Sequence, residues 1–153
     1  MKIEVFTDGG CIGNPGPGAW AYVIDDRNGR IEGSGYNPET TNNRMELTAV
    51  IEVLSFLRES AGSDAEQSRQ FVIHTDSQYV KNGITQWIHN WKRNGWKTAA
   101  KKPVKNQDLW MKLDVLSTEI QPEWTWVKGH AGIELNERCD QLVQEAIAGH
   151  GGK

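Results

Sequence analysis

Ile3-Glu4-Val5-Phe6-Thr7-Asp8-Gly9-Gly10-Cys11-Ile12-Gly13-Asn14-Pro15-Gly16-Pro17-Gly18 is the stretch from which the rest of the chain can be read. Ile3, Val5 and Thr7 alternate with Glu4, Phe6 and Asp8, and this period of two predicts a strand that Gly9-Gly10 brings to an end. The strand delivers one carboxylate, Asp8, into a turn rich in glycine and proline. Such a backbone can approach a ligand closely and expose its N–H groups. Taken alone, the stretch fits an ordinary hairpin turn with a solvated aspartate equally well, because glycine-rich turns are common. The acids that follow decide between the two.

Working outward, Ala19 to Asp26 and Arg30 to Tyr36 read as two further strands joined through Asn28-Gly29, a hairpin signal, so three antiparallel strands open the fold. Asn37 to Asn43 is polar, contains Pro38 and reads as a loop, with Asn42 or Asn43 as helix cap. From about Arg44 to Ser60, Met45, Leu47, Ala49, Val50, Val53, Leu54 and Leu57 recur at helical spacing. Glu46 falls in the expected first turn, where the helix dipole favours an anion. Ala61 to Gln70 is a short polar linker, and Phe71 to Thr75 is a buried strand ending at Asp76. A strand, helix and strand in this order predict parallel pairing of the Phe71 strand with the first, which brings Asp76 beside Asp8 at one sheet end.

Ser77 to Gly83 and Thr85 to Asn94 read as short helices broken at Gly83, followed by an exposed lysine-rich loop to Lys105. Asn106 to Glu119 is a helix carrying Leu109, Trp110, Leu113 and Leu116 inward. Glu123 to Val127 is a last strand, Lys128 to Leu135 a glycine-containing loop, and Asn136 to Ala148 a final helix with Asp140 near its start. The expected organisation is one domain over residues 1–148, a basic protrusion at about residues 85–105, and a flexible tail over residues 149–153.

The chain has 153 residues, a mass of 17.2 kDa and a formal charge of −3. That length suits a single hydrophobic core. No apolar run approaches a membrane span and no signal-peptide pattern precedes Ile3, so a cytoplasmic protein with no membrane partner is expected. Cys11 and Cys139 are too few for a disulfide framework and have no zinc spacing. The modest net charge hides an asymmetry: the segment between Tyr79 and Gln107 has no acid but seven cations, leaving the rest of the chain at −10. The chain therefore has a basic lobe and an acidic body.

Asp8, Glu46, Asp76 and Asp140 each stand at a strand end or in the first turns of a helix. Carboxylates gathered in one place repel one another and raise some of their pKa values unless a cation is present, and hard divalent ions prefer oxygen ligands. Magnesium, which keeps several waters and accepts phosphate oxygens, is the expected cofactor, with manganese as a substitute. The alternative is four unrelated surface acids.

Five segments together resemble bacterial type 1 ribonuclease H. They are Phe6-Thr7-Asp8-Gly9-Gly10-Cys11 with Asn14-Pro15-Gly16; Thr40-Thr41-Asn42-Asn43-Arg44-Met45-Glu46; Thr75-Asp76-Ser77-Gln78-Tyr79-Val80; Trp126-Val127-Lys128-Gly129-His130; and Asn136-Glu137-Arg138-Cys139-Asp140. The resemblance covers nearly the whole chain. It implies an α/β fold with a ribonuclease H-like mixed five-stranded sheet, three antiparallel strands and then parallel ones, flanked by helices. The implied activity is endonucleolytic hydrolysis of the RNA strand of an RNA–DNA hybrid, leaving 5′-phosphate and 3′-hydroxyl ends by two-metal-ion catalysis.

Carried over residue by residue, Asp8 bridges both ions, Glu46 and Asp76 complete the metal core, and Asp140 binds the ion that positions the water. His130, on a loop, serves proton transfer or product release. For the nucleic acid, Thr41 and Asn106 match a DNA-phosphate pocket, and Cys11, Asn14, Asn42 and Gln78 match positions that contact the RNA strand. Trp87 lies near the DNA sugars, and Trp96, Lys92, Arg93, Lys97, Lys101 and Lys102 belong to a basic protrusion that grips the DNA strand. The expected partner is the hybrid duplex and the expected state a monomer. Two rival readings are a noncatalytic hybrid-binding module, in which the acids are structural, and a DNA-cutting nuclease of the same broad fold. Retention of all four acids argues against the first, and the basic protrusion against the second.

Overall fold

The computed structural model describes the backbone of residues 2–26, 29–61, 70–98, 100–126 and 134–151. Strands β1 (Lys2–Cys11), β2 (Gly16–Asp26), β3 (Gly29–Thr40), β4 (Gln70–Thr75) and β5 (Glu123–Trp126) form one sheet in the order β3-β2-β1-β4-β5. β1 pairs antiparallel with β2, and β2 with β3, whereas β1–β4 and β4–β5 are parallel. This is the mixed five-stranded sheet the sequence predicts.

Helices α1 (Asn42–Ala61), α4 (Gln107–Ile120) and α5 (Glu134–Gly151) flank the sheet. The pleat separates two faces. Ile3 and Val5 of β1 with Tyr22 and Ile24 of β2 join the main core built on α1 and α4. Phe6, Ala19, Ala21 and Val23 face the other way, onto Leu135, Cys139, Val143 and Ile147 of α5. Leu47, Leu54, Ile73 and Leu113 are fully buried in the main core, each worth about 1.5–3 kcal/mol relative to exposure. No described helix is long and apolar enough to cross a membrane.

Several boundaries differ from expectation for physical reasons. β1 does not stop at Gly9-Gly10 but runs on to Cys11, because Gly9 and Gly10 continue the ladder opposite Trp20 and Ala19. β3 likewise extends through the expected loop to Thr40, with a register shift near Gly16 and Gly18. Pro38 is tolerated there because β3 is an edge strand. α1 begins two residues early, so Asn42 is helical and Thr41 is the cap: its Oγ1 accepts the Arg44 N–H at 3.2 Å. Glu46 consequently lies beyond the first turn, where the dipole argument weakens.

Gly83 breaks nothing. α2 (Gln78–Asn82) passes through a π-helical turn (Gly83–Trp87) directly into α3 (Ile88–Arg93). A Cβ at Gly83 would meet Cη2 of the fully buried Trp110 at 1.9 Å, so this glycine allows close helix packing. α5 starts before Asn136 and continues past Ala148 to Gly151, so residues 149–151 of the expected tail are helical. Residues 62–69 of the expected linker, the hairpin residue Asn28, Val127 of the expected last strand and residues 128–133 of the expected loop lie outside the described residues.

Candidate active site

The carboxylates of Asp8, Glu46 and Asp76 converge at the C-terminal edge of the central strands, with one ligand atom from each within 4.8 Å of the others. Parallel pairing explains the first contact. Phe6 of β1 is opposite His74 of β4, so residues two further along each strand meet where the pairing ends. Glu46 arrives from α1, and Gly9 is what lets it in. A Cβ there would fall 2.4 Å from the Met45 carbonyl carbon and 2.5 Å from the Glu46 nitrogen, so helix backbone rests on strand backbone.

Both Asp8 and Glu46 are 8% exposed. Burial, followed by the charges of Asp8 and Asp76, pushes the Glu46 carboxyl well above the usual carboxylate range, opposed by the Gly9 N–H. Glu46 Oε1 finds no hydrogen-bond partner among the described residues. A buried carboxylate oxygen with no donor, held beside two further carboxylates, is the donor set of a hard divalent cation. The residues present fit magnesium.

Asp140 stands beside this cluster rather than within it. Its Oδ2 accepts from Gln144 Nε2 at 3.0 Å, one turn along α5. It also borders a groove of about 460 Å³ shared with Gly10, Cys11, Ile12 and Asn42. Of the four acids, three are in mutual reach and the fourth faces the adjoining groove. His130 lies outside the described residues.

The turn after β1 is fastened from both sides. Cys11 Sγ points at the carbonyl oxygens of Gly13, Thr40 and Gly16, at 3.0, 3.3 and 3.4 Å. Burial pushes its thiol up, which keeps it a neutral donor. Asn14 Oδ1 accepts the Asn42 backbone N–H at 2.9 Å, tying the turn to the start of α1. Cys11, Asn14, Thr41 and Asn42 are thereby gathered at one edge, and Gln78 is exposed at the start of α2.

The aromatic residues of the basic segment form a continuous pile. Trp87, Trp91 and Trp96 follow one another at centroid separations of 5.8 and 6.3 Å, and Trp91 packs edge-on against Trp110 at 5.4 Å. Lys97, Lys101 and Lys102 are exposed beyond the pile, where Lys97 bridges to Pro103. Lys92 has an acid partner, Asp114 Oδ1 at 3.2 Å, supplied by α4 from outside its own acid-free segment. Arg93 binds Asn90 Oδ1 at 3.1 Å.

Sequence reasoning assigned nothing to Arg44 or Tyr79, although both stand inside quoted motifs. Arg44 makes a two-point pair with Asp108, at 2.9 and 3.2 Å, and holds that carboxyl below its usual range. The only sequence signal was an arginine beside a cluster of polar residues.

Comparison with known proteins places this arrangement among others. The family model described as RNase H matches residues 1–148. The chain is 55% identical to Ribonuclease H of Treponema denticola over 155 residues, covering 95% of this chain and 97% of that one. It is 52% identical to Ribonuclease H of Escherichia coli K12 over 145 residues, covering 95% and 88%. Among solved structures, LC9-RNase H1, described as a type 1 RNase H with the type 2 active-site motif, superposes with a TM-score of 0.79 at 32% identity, covering 97% of this chain and 72% of that one. LC11-RNase H1 in complex with RNA/DNA hybrid gives a TM-score of 0.71 at 28% identity, covering 96% and 97%.

Proposed function

Because this chain belongs to the ribonuclease H family and is a nuclease by that membership, we propose that it hydrolyses the RNA strand of RNA–DNA hybrids internally, leaving 5′-phosphate and 3′-hydroxyl ends with two magnesium ions per site. The observation that carries the reading is the mutually repelling triad of buried Asp8 and Glu46 with half-buried Asp76, in which Glu46 Oε1 has no donor among the described residues. Structural acids have no reason to be arranged so, which disfavours a noncatalytic binding module. The family's solved complex with an RNA/DNA hybrid supports the substrate class.

Asp8, Glu46 and Asp76 would hold the metal, with Asp140 completing the set from α5. When bound, divalent ions supply Lewis-acid stabilisation of the phosphoryl oxygens and a lowered pKa for the attacking water. The protein's own residues do the positioning. Gly9 fixes the distance between Glu46 and Asp8, and Gln144 holds the Asp140 carboxylate. Burial and the neighbouring Asp8 and Asp76 carboxylates raise the Glu46 pKa and so favour its protonated form, and a bound cation would favour the carboxylate instead. His130 takes part in proton transfer or product release.

Thr41 and Asn106 receive a DNA phosphate, while Cys11, Asn14, Asn42 and Gln78 line the RNA strand, where the 2′-hydroxyl distinguishes RNA from DNA. Trp87 contacts DNA sugars, and Trp96, Lys92, Arg93, Lys97, Lys101 and Lys102 attract the duplex backbone. The protein acts as a monomer in the cytoplasm.

The test is digestion of matched hybrid, double-stranded RNA and double-stranded DNA, with magnesium or with chelator, by the wild type and Asp8→Asn. Only the hybrid should be cut, only in its RNA strand and only with magnesium. Asp8→Asn should bind the hybrid without cutting it. Cleavage of duplex DNA, or turnover by Asp8→Asn, would refute the reading.

A further inference from the structure

The Asn106 side chain sits where α1, α2 and the start of α4 meet, and each end of its amide is engaged by a different element. Arg44 of α1 donates Nη1 to Asn106 Oδ1 at 3.1 Å. Asn106 Nδ2 donates to Tyr79 Oη of α2 at 3.0 Å. A guanidinium has donors only, so the amide atom that faces it must be oxygen, and chemistry determines the orientation of the amide.

Both partners make further contacts of their own. Trp110 Nε1 donates to the same Tyr79 Oη at 3.0 Å, and the Tyr79 ring packs against Trp87 and Trp110 at 5.7 and 5.4 Å. Arg44 is pinned by its two-point pair with Asp108. The Asn106 backbone is left-handed, with φ 61°, a conformation that asparagine adopts more readily than most other side chains. Its side chain does not cap α4. The amide is therefore held at both ends, by Arg44 at its oxygen and by Tyr79 at its nitrogen.

We propose that Tyr79 and Arg44 are positioning residues for the DNA strand: they fix the Asn106 amide so that its second Nδ2 hydrogen is presented to a backbone phosphate. The inference rests on the reading of Asn106 as a phosphate contact given above. Orientation decides the sign of that contact. With Nδ2 outward the amide donates to the phosphate oxygen, whereas a flipped amide would present Oδ1, an acceptor, to an anion. The Arg44 charge is matched by Asp108, so Arg44 acts through geometry rather than through its own attraction for phosphate.

The decisive experiment is a double-mutant cycle read in KM, kcat and Tm. Tyr79→Phe removes only Oη, and it should raise KM for the hybrid about three- to tenfold while kcat changes less than about twofold. The salt slope of KM should not change, because a neutral amide releases no counterion. Asn106→Ala should raise KM at least as much. In the Asn106→Ala background, Tyr79→Phe should no longer affect KM, although Tm should still fall because the Trp110 indole loses its acceptor.

An equal rise in KM in both backgrounds, or none in the wild type, would overturn the inference. If Asn106→Ala by itself leaves KM unchanged, the phosphate reading fails and takes the inference with it, a result distinguishable without any change at Tyr79. Should Tyr79→Phe fail to fold, Arg44→Lys, which cannot reproduce the guanidinium fork, carried through the same cycle makes the same discrimination.

Discussion

Replacing Gly9 with alanine tests whether backbone packing sets the spacing of the acids. The new Cβ would lie 2.4 Å from the Met45 carbonyl carbon, 2.5 Å from the Glu46 nitrogen and 2.6 Å from the Met45 oxygen. All three are main-chain atoms, so no rotamer change relieves the clash. Ordinary contact begins near 3.4 Å. The N-terminal half of α1 must therefore retreat by about 1 Å, and Glu46 moves with it. A misplacement of about 1 Å in a reacting site costs on the order of 10²-fold in rate. Overpacking of this kind costs about 1–3 kcal/mol, and each kcal/mol lowers Tm by about 2–4 °C in a chain of this size.

The assay is kcat at saturating hybrid and magnesium, well below Tm, beside a thermal melt. Gly10→Ala is the control, since its Cβ would meet only Val143 Cγ1 at 3.4 Å, and it should stay within about twofold of wild type. Full kcat in Gly9→Ala despite a lowered Tm would show that the triad tolerates displacement of α1. An unchanged Tm would refute the packing account itself.

Three further outcomes follow from the same geometry. Glu46 keeps its proton above the usual carboxylate range when folded, whereas the unfolded chain releases it near the ordinary value of 4.5, so metal-free stability falls as pH rises through that window. Glu46→Gln in chelator should abolish that decline, making the variant the more stable protein at neutral pH, with the advantage shrinking towards pH 4.5; melts across pH check this. Lys97, Lys101 and Lys102 replaced together by alanine should raise KM and flatten its dependence on salt, by a slope of roughly 0.9 per lost phosphate contact, with kcat nearly intact. A collapse of kcat at constant KM would instead make the lobe part of the catalytic assembly. Gln121 ends α4 in the left-handed region at φ 53°, and Gln121→Gly should raise stability by about 0.5–1 kcal/mol in a denaturant titration.

Local pattern was enough to read the strand and helix order and to single out the candidate acids. Alternation along residues 3–8, helical spacing from Met45 to Leu57 and the buried run at Phe71–Thr75 report on which face each residue turns to the core, and that periodicity is written in the chain. The requirement that a strand, helix and strand return parallel then brought Asp76 to Asp8 without any coordinates. Composition alone also exposed the acid-free stretch from Tyr79 to Gln107 as a basic lobe.

What pattern could not supply depends on atoms distant in sequence. Gly9 and Gly83 look like strand and helix breakers, yet each is small because another element presses on it, Met45 in one case and Trp110 in the other. Lys92 is matched by Asp114, and Arg44 by Asp108, across helices that no local rule pairs. Asn14 reads as a turn residue until the start of α1 lies above it and the Asn42 N–H takes its oxygen. The separation of Asp140 from the triad is of the same kind, a distance between α5 and the strand ends. The sequence by itself supplied the candidate side chains; only the tertiary structure decided the spacing of Asp8, Glu46 and Asp76 and the contacts that orient their neighbours, because both are set by packing between segments whose contacts leave no periodic trace.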